Sequence, residues 1–144
     1  MTKALECEMS VIGALLISKD DDAIQASICR IVPETFEDES LREVYRAVVK
    51  VYQDVGKTDC VLILKELPEE YKDRILTCME LVPAPSLLPH YVDMLTDRYR
   101  RRVLSGDLTK LAGEIQEEVP TEEVLRDLSR AVEVQQKLSD VQQS

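Results

Sequence analysis

The sequence predicts an all-α protein in which a compact head of about six helices is followed by a long antiparallel helical hairpin. Apolar residues recur at three- and four-residue spacing along almost the whole chain, as on the buried face of a helix. Only four glycines and six prolines interrupt this pattern in 144 residues. In the last third, only about two positions in every seven are apolar, which is the proportion found along the contact stripe of a coiled coil. We therefore expect the head over 1–100 and the hairpin over 101–144.

The first helix is expected over 5–17. The second is expected to begin at a run of three consecutive aspartates. One apolar face runs through the first helix. Asp20, Asp21 and Asp22 offer an N-cap to the second helix, which Pro33 ends. Gly13 lies inside the first helix, where glycine costs about 1 kcal/mol relative to alanine. We expect a second helix to approach closely at this point.

The third helix has the clearest start and stop signals. Ser40 followed by Glu43 has the spacing of a capping box, so the helix is predicted to start at Ser40. Gly56 is expected to end it in the left-handed conformation.

The remaining helices of the head are shorter or less clearly marked. Asp59 can cap a fourth helix that contains 61–67. The apolar run 61–64 also fits a strand, but no second strand is available to pair with it, so a helix is preferred. A fifth helix is predicted over 69–81. Ser86 is the expected cap of the sixth, which can continue into the hairpin without a break.

The hairpin is predicted from two narrow apolar seams and the turn between them. The turn spans 118–121, and Thr121 is expected to cap the second helix with acidic residues in its first turn. The seams consist of Leu104, Leu108, Leu111 and Ile115 in the first helix, and of Val124, Leu128, Ala131 and Leu138 in the second. Seams this narrow bury little area, so we expect the hairpin to pack against a second hairpin. The alternative is that it folds back on the head.

Charge and cysteine content exclude several functional classes. The formal net charge is −10, whereas nucleic-acid binding depends on basic surfaces that contact phosphates. A cluster at 98–102 contains four arginines, of which Arg100, Arg101 and Arg102 could contact phosphate. Because the surrounding field is acidic, pairing with carboxylates is the preferred interpretation. Four widely spaced cysteines without a CxxC pair indicate reduced thiols in a cytosolic protein. No apolar run approaches the ~20 residues that span a bilayer.

The sequence contains no recognisable catalytic, cofactor or metal site. His90 is the single histidine in the sequence. A metal site or catalytic triad built on histidine is therefore not expected. Acidic pairs fall at helix ends, where the helix dipole favours them. None of the glycines opens a phosphate-binding loop.

Several segments, taken in order, resemble the N-terminal domain of DnaB-type replicative DNA helicases. The opening E-C-E-M-S-V-I-G-A-L-L at 6–16 is similar to the family pattern E-x-E-x-x-V-L-G-A-L-L. Further similarities are I-V-P-E-T-F at 31–36, L-R-E-V-Y-R-A at 41–47, G-K-T-D at 56–59 followed by Leu67, L-V-P-A-P at 81–85 followed by Tyr91 and Val92, and R-R-V-L at 101–104. Each segment alone is weak evidence for this family, whereas their occurrence in the family's order over about 5–115 is specific to it.

Some positions depart from the family pattern. Leu41 stands where the family has a histidine, and Glu37 stands where an aromatic residue often follows. A glycine pair expected before the fifth helix is missing, and the segment 68–74 is shorter. These departures concern partner surfaces rather than the fold.

The resemblance implies an interaction module of a replication enzyme in bacteria or phages, located in the cytoplasm. Such domains pair through their hairpins, and three dimers form a collar above a hexameric motor ring. The collar docks the C-terminal domain of primase, and a helicase loader is a further possible partner. The resemblance places the ATP- and Mg-dependent motor of a 5'-3' helicase C-terminal to this chain, with residues near 144 beginning the linker. No cofactor is expected in this chain, and direct DNA binding is expected to be weak or absent.

The resemblance also suggests which residues serve these roles. Self-association is expected at Leu104, Leu108, Ile115, Leu125 and Leu128. Primase docking is expected near Arg74, Ser105 and Leu111.

Two other functions remain open at the level of sequence. The chain could be a stand-alone adaptor from a phage or mobile element that binds a helicase or primase. It could also bind nucleic acid directly through 98–102, although the net charge argues against this.

Overall fold

The computed structural model describes residues 1–143, with side chains through Val141. Within that part the chain forms seven α-helices and three short 3-10 turns, and it contains no strand. The helices are α1 (Lys3–Ile17), α2 (Asp21–Arg30), α3 (Glu39–Val55), α4 (Cys60–Lys65), α5 (Lys72–Leu81), α6 (Leu88–Gln116) and α7 (Thr121–Gln143). The 3-10 turns are Pro33–Thr35, Glu69–Tyr71 and Pro85–Leu87. The predicted all-α class is confirmed.

By its contacts the chain divides into two units. Unit 1 comprises Met1–Thr96 and unit 2 comprises Asp97–Ser144. The sequence-based division lies at 100/101. Helix α6 continues from one unit into the other without a break, as the sequence allowed.

The core of unit 1 is built around α1. Nearly every residue of α1 over 7–16 is buried, so this helix lacks the polar face of a surface helix. Helix α3 is amphipathic and buries Leu41, Val44 and Val48 on one side. Phe36 and Tyr45 place two of the largest side chains in this core, with ring centroids 5.1 Å apart. The Tyr45 hydroxyl donates to the Ile31 carbonyl at 2.7 Å, so its one polar group is satisfied.

The close approach expected at Gly13 is present, and the partner helix is α5. A Cβ atom at Gly13 would lie 2.0 Å from the carbonyl oxygen of Cys78 and 2.9 Å from Cγ2 of Val82. Both distances are shorter than real Cβ atoms tolerate, and the first involves backbone that cannot move without shifting α5. Only glycine therefore allows α1 and α5 to meet as they do.

Glu8 connects α1 to the start of α3 through a buried carboxylate. The side chain is 3% exposed. Its two oxygens accept hydrogen bonds from the backbone N–H groups of Glu37 at 3.1 Å and Asp38 at 3.2 Å. A carboxylate that accepts two backbone hydrogen bonds offsets part of the cost of its burial.

The predicted cap of α3 is wrong by two residues. Asp38, rather than Ser40, is the N-cap, and its side chain accepts from the N–H of Leu41 at 3.0 Å. Ser40 lies in the first turn and donates its hydroxyl to Asp38 Oδ1 at 2.6 Å. The charged acceptor of Asp38 outcompetes the serine hydroxyl. The predicted C-cap is confirmed, since Gly56 has a φ of 73° and its N–H reaches the Tyr52 carbonyl.

The caps of α2 and α4 are also as predicted. Asp20 accepts from the N–H of Ala23, and Asp59 accepts from the N–H of Leu62. The run 61–64 is helical, so the strand alternative is excluded.

Two further predicted caps, at Ser86 and Thr121, are wrong. Ser86 lies inside the 3-10 turn Pro85–Leu87, where the Ala84 carbonyl accepts from Leu87, and α6 begins only at Leu88. Thr121 is the first residue of α7 rather than its cap, since the Pro120 carbonyl already accepts from Glu123. The predicted fifth helix begins with the separate turn Glu69–Tyr71, and α5 follows from Lys72.

Unit 2 consists of the C-terminal part of α6 and of α7, joined by a tight turn. Leu111, Val124 and Ala131 are its buried apolar residues. The Arg100 guanidinium donates to the side-chain and backbone oxygens of Gln135, and Gln135 Nε2 donates to the Arg100 carbonyl at 3.0 Å. Polar groups therefore hold part of this interface together.

The turn of unit 2 places a non-glycine residue in the left-handed conformation. Glu118 has a φ of 59°. The N–H of Glu118 bonds to the Ile115 carbonyl and that of Val119 to the Glu114 carbonyl, which is the Schellman pattern at the end of α6. Glycine is preferred at this position because a Cβ atom is strained there.

We predict that Gly13→Ala destabilises the protein although alanine is the better helix former. Forcing a methyl group against a backbone carbonyl costs on the order of 1–3 kcal/mol or more. Urea unfolding measures the change. Gly113→Ala is the matched control, because no atom outside its own helix surroundings lies within 4 Å of the added Cβ. That variant should gain up to about 1 kcal/mol, and equal stability of the two variants would contradict the close contact.

We predict that Glu118→Gly raises the free energy of unfolding of the hairpin by about 1 kcal/mol, because it removes the left-handed strain. Thermal unfolding followed by circular dichroism measures the gain. Glu117→Gly, one residue earlier, should be neutral or destabilising. A loss of stability in Glu118→Gly would show that the turn does not adopt this conformation.

Candidate interaction surfaces

Unit 2 carries a row of exposed large apolar side chains. Six of them are between 37% and 65% exposed: Leu104, Leu108, Ile115, Leu125, Leu128 and Val132. Clusters of this kind on a surface commonly mark interaction sites. All five residues predicted for self-association belong to this set, and Val132 is the sixth member.

The six side chains project from the same side of the hairpin. Each of the six comes directly after a residue that is buried or half-buried against the other helix. This holds for Leu104, Leu108 and Ile115 in α6 and for Leu125, Leu128 and Val132 in α7. One residue further along an α-helix is a rotation of about 100°. Because the two helices run in opposite directions, that rotation brings both rows to one face. We call these six residues the apolar face.

A shallow groove of about 490 Å³ follows the α6 part of the apolar face. Leu104, Leu108 and Ala112 form its apolar floor, and Arg101, Ser105 and Thr109 line it with polar groups. Ser105, predicted for primase docking, is therefore exposed at the rim of the apolar face. Its carbonyl accepts the Thr109 hydroxyl at 2.9 Å.

Leu111, also predicted for primase docking, lies elsewhere. Its side chain is 7% exposed and lies with Ala131 and Val134 between α6 and α7. A buried side chain inside the hairpin cannot present a docking surface, so Leu111 belongs to the core of unit 2. The sequence pattern did not separate inward from outward positions of the seam.

Arg74 lies in unit 1, at a cleft between the start of α3 and the start of α5. Its guanidinium reaches Asp38 Oδ2 at 3.4 Å, and the side chain is 34% exposed. Burial raises the pKa of Asp38, but hydrogen bonds from Ser40 and Leu41 and the charge of Arg74 outweigh it, so the pKa is lowered. Arg74 therefore helps to keep the cap of α3 ionised, and it remains partly accessible to a partner.

The arginine cluster at 98–102 is engaged by neighbours within unit 2. Arg100 is held by Gln135, and Arg101 pairs with Asp97 at 2.8 Å. The Arg102 guanidinium lies 5.3 Å from the ring centre of Tyr99. Arg100 is half-buried and committed to α7, so it is a poor candidate for a phosphate contact. The predicted pairing with carboxylates therefore describes Arg101, whereas Arg100 bonds the Gln135 amide and backbone instead.

In the part of the chain that the structure describes, no group of three or more His, Cys, Asp or Glu side chains is placed to hold a metal ion. His90 is exposed beside Tyr91. Cys7, Cys29, Cys60 and Cys78 are reduced thiols that form no disulfide. None of the helices over 1–143 is both long and apolar enough to cross a membrane.

The fold and the apolar face define a class of protein: an all-α domain that joins a helical head to a helical hairpin with one exposed apolar side. Residues 1–97 match the family described as the DnaB-like helicase N-terminal domain. The chain belongs to this family. The similarity seen in its collinear motifs is thereby confirmed.

The fold is also similar to a solved structure. The crystal structure of the N-terminal domain of DnaB helicase from Mycobacterium tuberculosis matches with a TM-score of 0.75 and 23% sequence identity. The match covers 89% of this chain and 95% of that one. No curated protein matches the chain.

Proposed function

We propose that this chain is the collar domain of a replicative DNA helicase and that it assembles through the apolar face of unit 2. The single observation that carries this proposal is the apolar face itself. The family match over residues 1–97 supports a role within a replicative helicase. The N-terminal domain of such a helicase is not itself catalytic.

The occupant of the apolar face is a second copy of this chain. Among the side chains that the structure describes, the two helices of unit 2 bury only Leu111, Val124 and Ala131 well, while six large apolar side chains on one side remain open to solvent. Burying one Leu, Ile or Val side chain contributes about 1.5–3 kcal/mol. A two-fold related copy presents the same face, so the surface is complementary to itself. Dimers formed in this way are the units from which a trimer of dimers would build the ring.

Primase is the proposed partner at the rim of the apolar face. Ser105 and Thr109 give this rim a polar character beside Leu108, as at the edge of many interfaces. Arg74 offers a second, separate contact on unit 1. A helicase loader is the alternative partner for the same surfaces.

The whole protein is proposed to be an ATP-dependent 5'-3' DNA helicase of the bacterial or phage cytoplasm. ATP and Mg would bind its motor domain, since no phosphate-binding loop occurs in this sequence. The net charge of −10 makes direct DNA binding by this domain weak.

Leu108→Glu is predicted to abolish self-association, because it places a charge in the middle of the apolar face, where Leu108 is 50% exposed. Sedimentation equilibrium should show the wild type as a dimer or larger species and the variant as a monomer. Circular dichroism should show that the helices are retained.

Arg126→Gln is the matched control for that experiment, because it makes the net charge more negative by the same single unit as Leu108→Glu. Arg126 is exposed on α7 and follows two residues after the buried Val124, so its side chain points away from α6 and lies outside the apolar face. It should leave the native mass unchanged. A monomeric wild type, or equal loss of mass in both variants, would contradict assembly through the apolar face.

Ser105→Arg is predicted to weaken binding of the primase C-terminal domain by about tenfold or more, equivalent to about 1.4 kcal/mol. A long charged side chain would block the rim while leaving the apolar face intact. Calorimetric titration into the self-associated protein measures the affinity. Ser129→Arg, an exposed serine on α7, is the control. Undiminished binding by Ser105→Arg would move the docking surface elsewhere, and no binding by the wild type would favour a loader as the partner.

A further inference from the structure

The apolar face of unit 2 can join only two copies of the chain. Each copy presents this face once, and a two-fold contact through it is complete when two copies have met. An assembly of several such dimers therefore needs a second contact, made by a different surface of the chain.

A polar cleft of about 540 Å³ lies in unit 1, between the start of α3 and the start of α5. Arg42, Arg46 and Arg74 line it, together with Tyr71, and we call it the arginine cleft. Arginine and tyrosine are among the residue types that most often carry the binding energy of protein interfaces. This lining favours a protein as the occupant of the cleft.

Arg42 and Arg46 lie one turn apart on the same side of α3. The Phe36 carbonyl accepts from Nε and Nη2 of Arg42, at 3.2 Å and 3.0 Å, and holds this guanidinium in place. That contact does not use Nη1, whose N–H groups can donate to a ligand without further ordering of the side chain. Arg46 pairs with Glu43, and both side chains are about half exposed. An exposed pair of this kind contributes little to stability and can exchange its partner.

The carboxylates at the arginine cleft differ in how firmly they are engaged. Asp38 Oδ1 accepts from the Ser40 hydroxyl at 2.6 Å and from the N–H of Leu41 at 3.0 Å. Its other oxygen lies 3.4 Å from the Arg74 guanidinium, so the charge of Asp38 is compensated within unit 1. Glu39 is exposed at the same cleft and opposes an incoming anion. The attraction for a ligand therefore comes from Arg42 and Arg46.

Unit 2 carries the complementary charge at the turn between α6 and α7. Residues 111–125 contain five glutamates and no lysine or arginine. Four of these glutamates are exposed, and we call the segment 117–123 that holds them the acidic turn: Glu117, Glu118, Glu122 and Glu123. The backbone hydrogen bonds that end α6 fix the conformation of this segment. Its carboxylates are therefore presented on an ordered backbone.

We propose that the acidic turn of one copy docks in the arginine cleft of a second copy and thereby joins one dimer to the next. This contact rests on the proposed function, because it links the dimers that form through the apolar face. Cleft and turn are different surfaces, so each dimer carries two of each and can bind a neighbour on either side. A single docked turn binds weakly, and the two sites of a dimer strengthen the assembly by acting together.

A charge exchange between Arg46 and Glu118 tests this contact in the full chain. Sedimentation velocity at about 0.05 M and about 0.5 M salt measures species larger than the dimer, which the higher salt should dissociate by screening. At the lower salt, Arg46→Glu and Glu118→Lys are each expected to weaken association beyond the dimer by about tenfold or more, because like charges then face each other. The double variant restores opposite charges at this position with the net charge of the wild type. It should recover association relative to either single variant.

Lys3→Glu is the matched control, because it changes the net charge as Arg46→Glu does at an exposed position of α1 outside the arginine cleft. It should leave the larger species unchanged, and circular dichroism should show that all variants keep their helices. Single variants that assemble like the wild type, or a double variant that assembles no better than the single ones, would overturn the docking of the turn.

The same samples separate this contact from the proposed function. A wild type that forms dimers and nothing larger at the lower salt contradicts the docked turn alone. Larger species that Arg46→Glu removes and Leu108→Glu leaves intact contradict assembly through the apolar face and support the docked turn.

Discussion

The packing of α1 against α5 at Gly13 is the contact on which the rest of unit 1 depends. Helix α1 is buried on nearly all sides, so each surrounding helix is positioned by it. The missing side chain at Gly13 lets the Cys78 carbonyl of α5 come close enough to exclude even a methyl group. On the same helix, Glu8 holds the backbone that leads into α3. A single helix thus sets both the spacing of the core and the start of the next long helix.

Unit 2 is held together in a different way. Its interior combines a few apolar residues with polar contacts such as the hydrogen bonds between Arg100 and Gln135. Its larger apolar side chains lie outside, on the apolar face. Narrow polar-rich hairpins gain stability mainly from what they pack against. If copies assemble through the apolar face as proposed, burial of these side chains would add to the stability of unit 2.

The sequence predicted the helical class, the order of helices and the role of Gly13, because periodicity and an interior glycine report directly on packing. It misplaced the cap of α3, since Ser40 and Asp38 both have suitable side chains and only the loop held by Glu8 decides between them. It also assigned Leu111 to a surface, because a seam of two apolar residues in seven does not show which member faces the partner helix.

The central claim is that unit 1 is a self-contained fold and that the apolar face of unit 2 is where copies of the chain meet. Hydrogen exchange of the full chain across a range of protein concentrations tests this most directly, because it locates association along the backbone. The account predicts protection that rises with concentration over 101–134, while the amides of α1 and α5 do not change. Protection that is independent of concentration, or that rises in unit 1 instead, would contradict it.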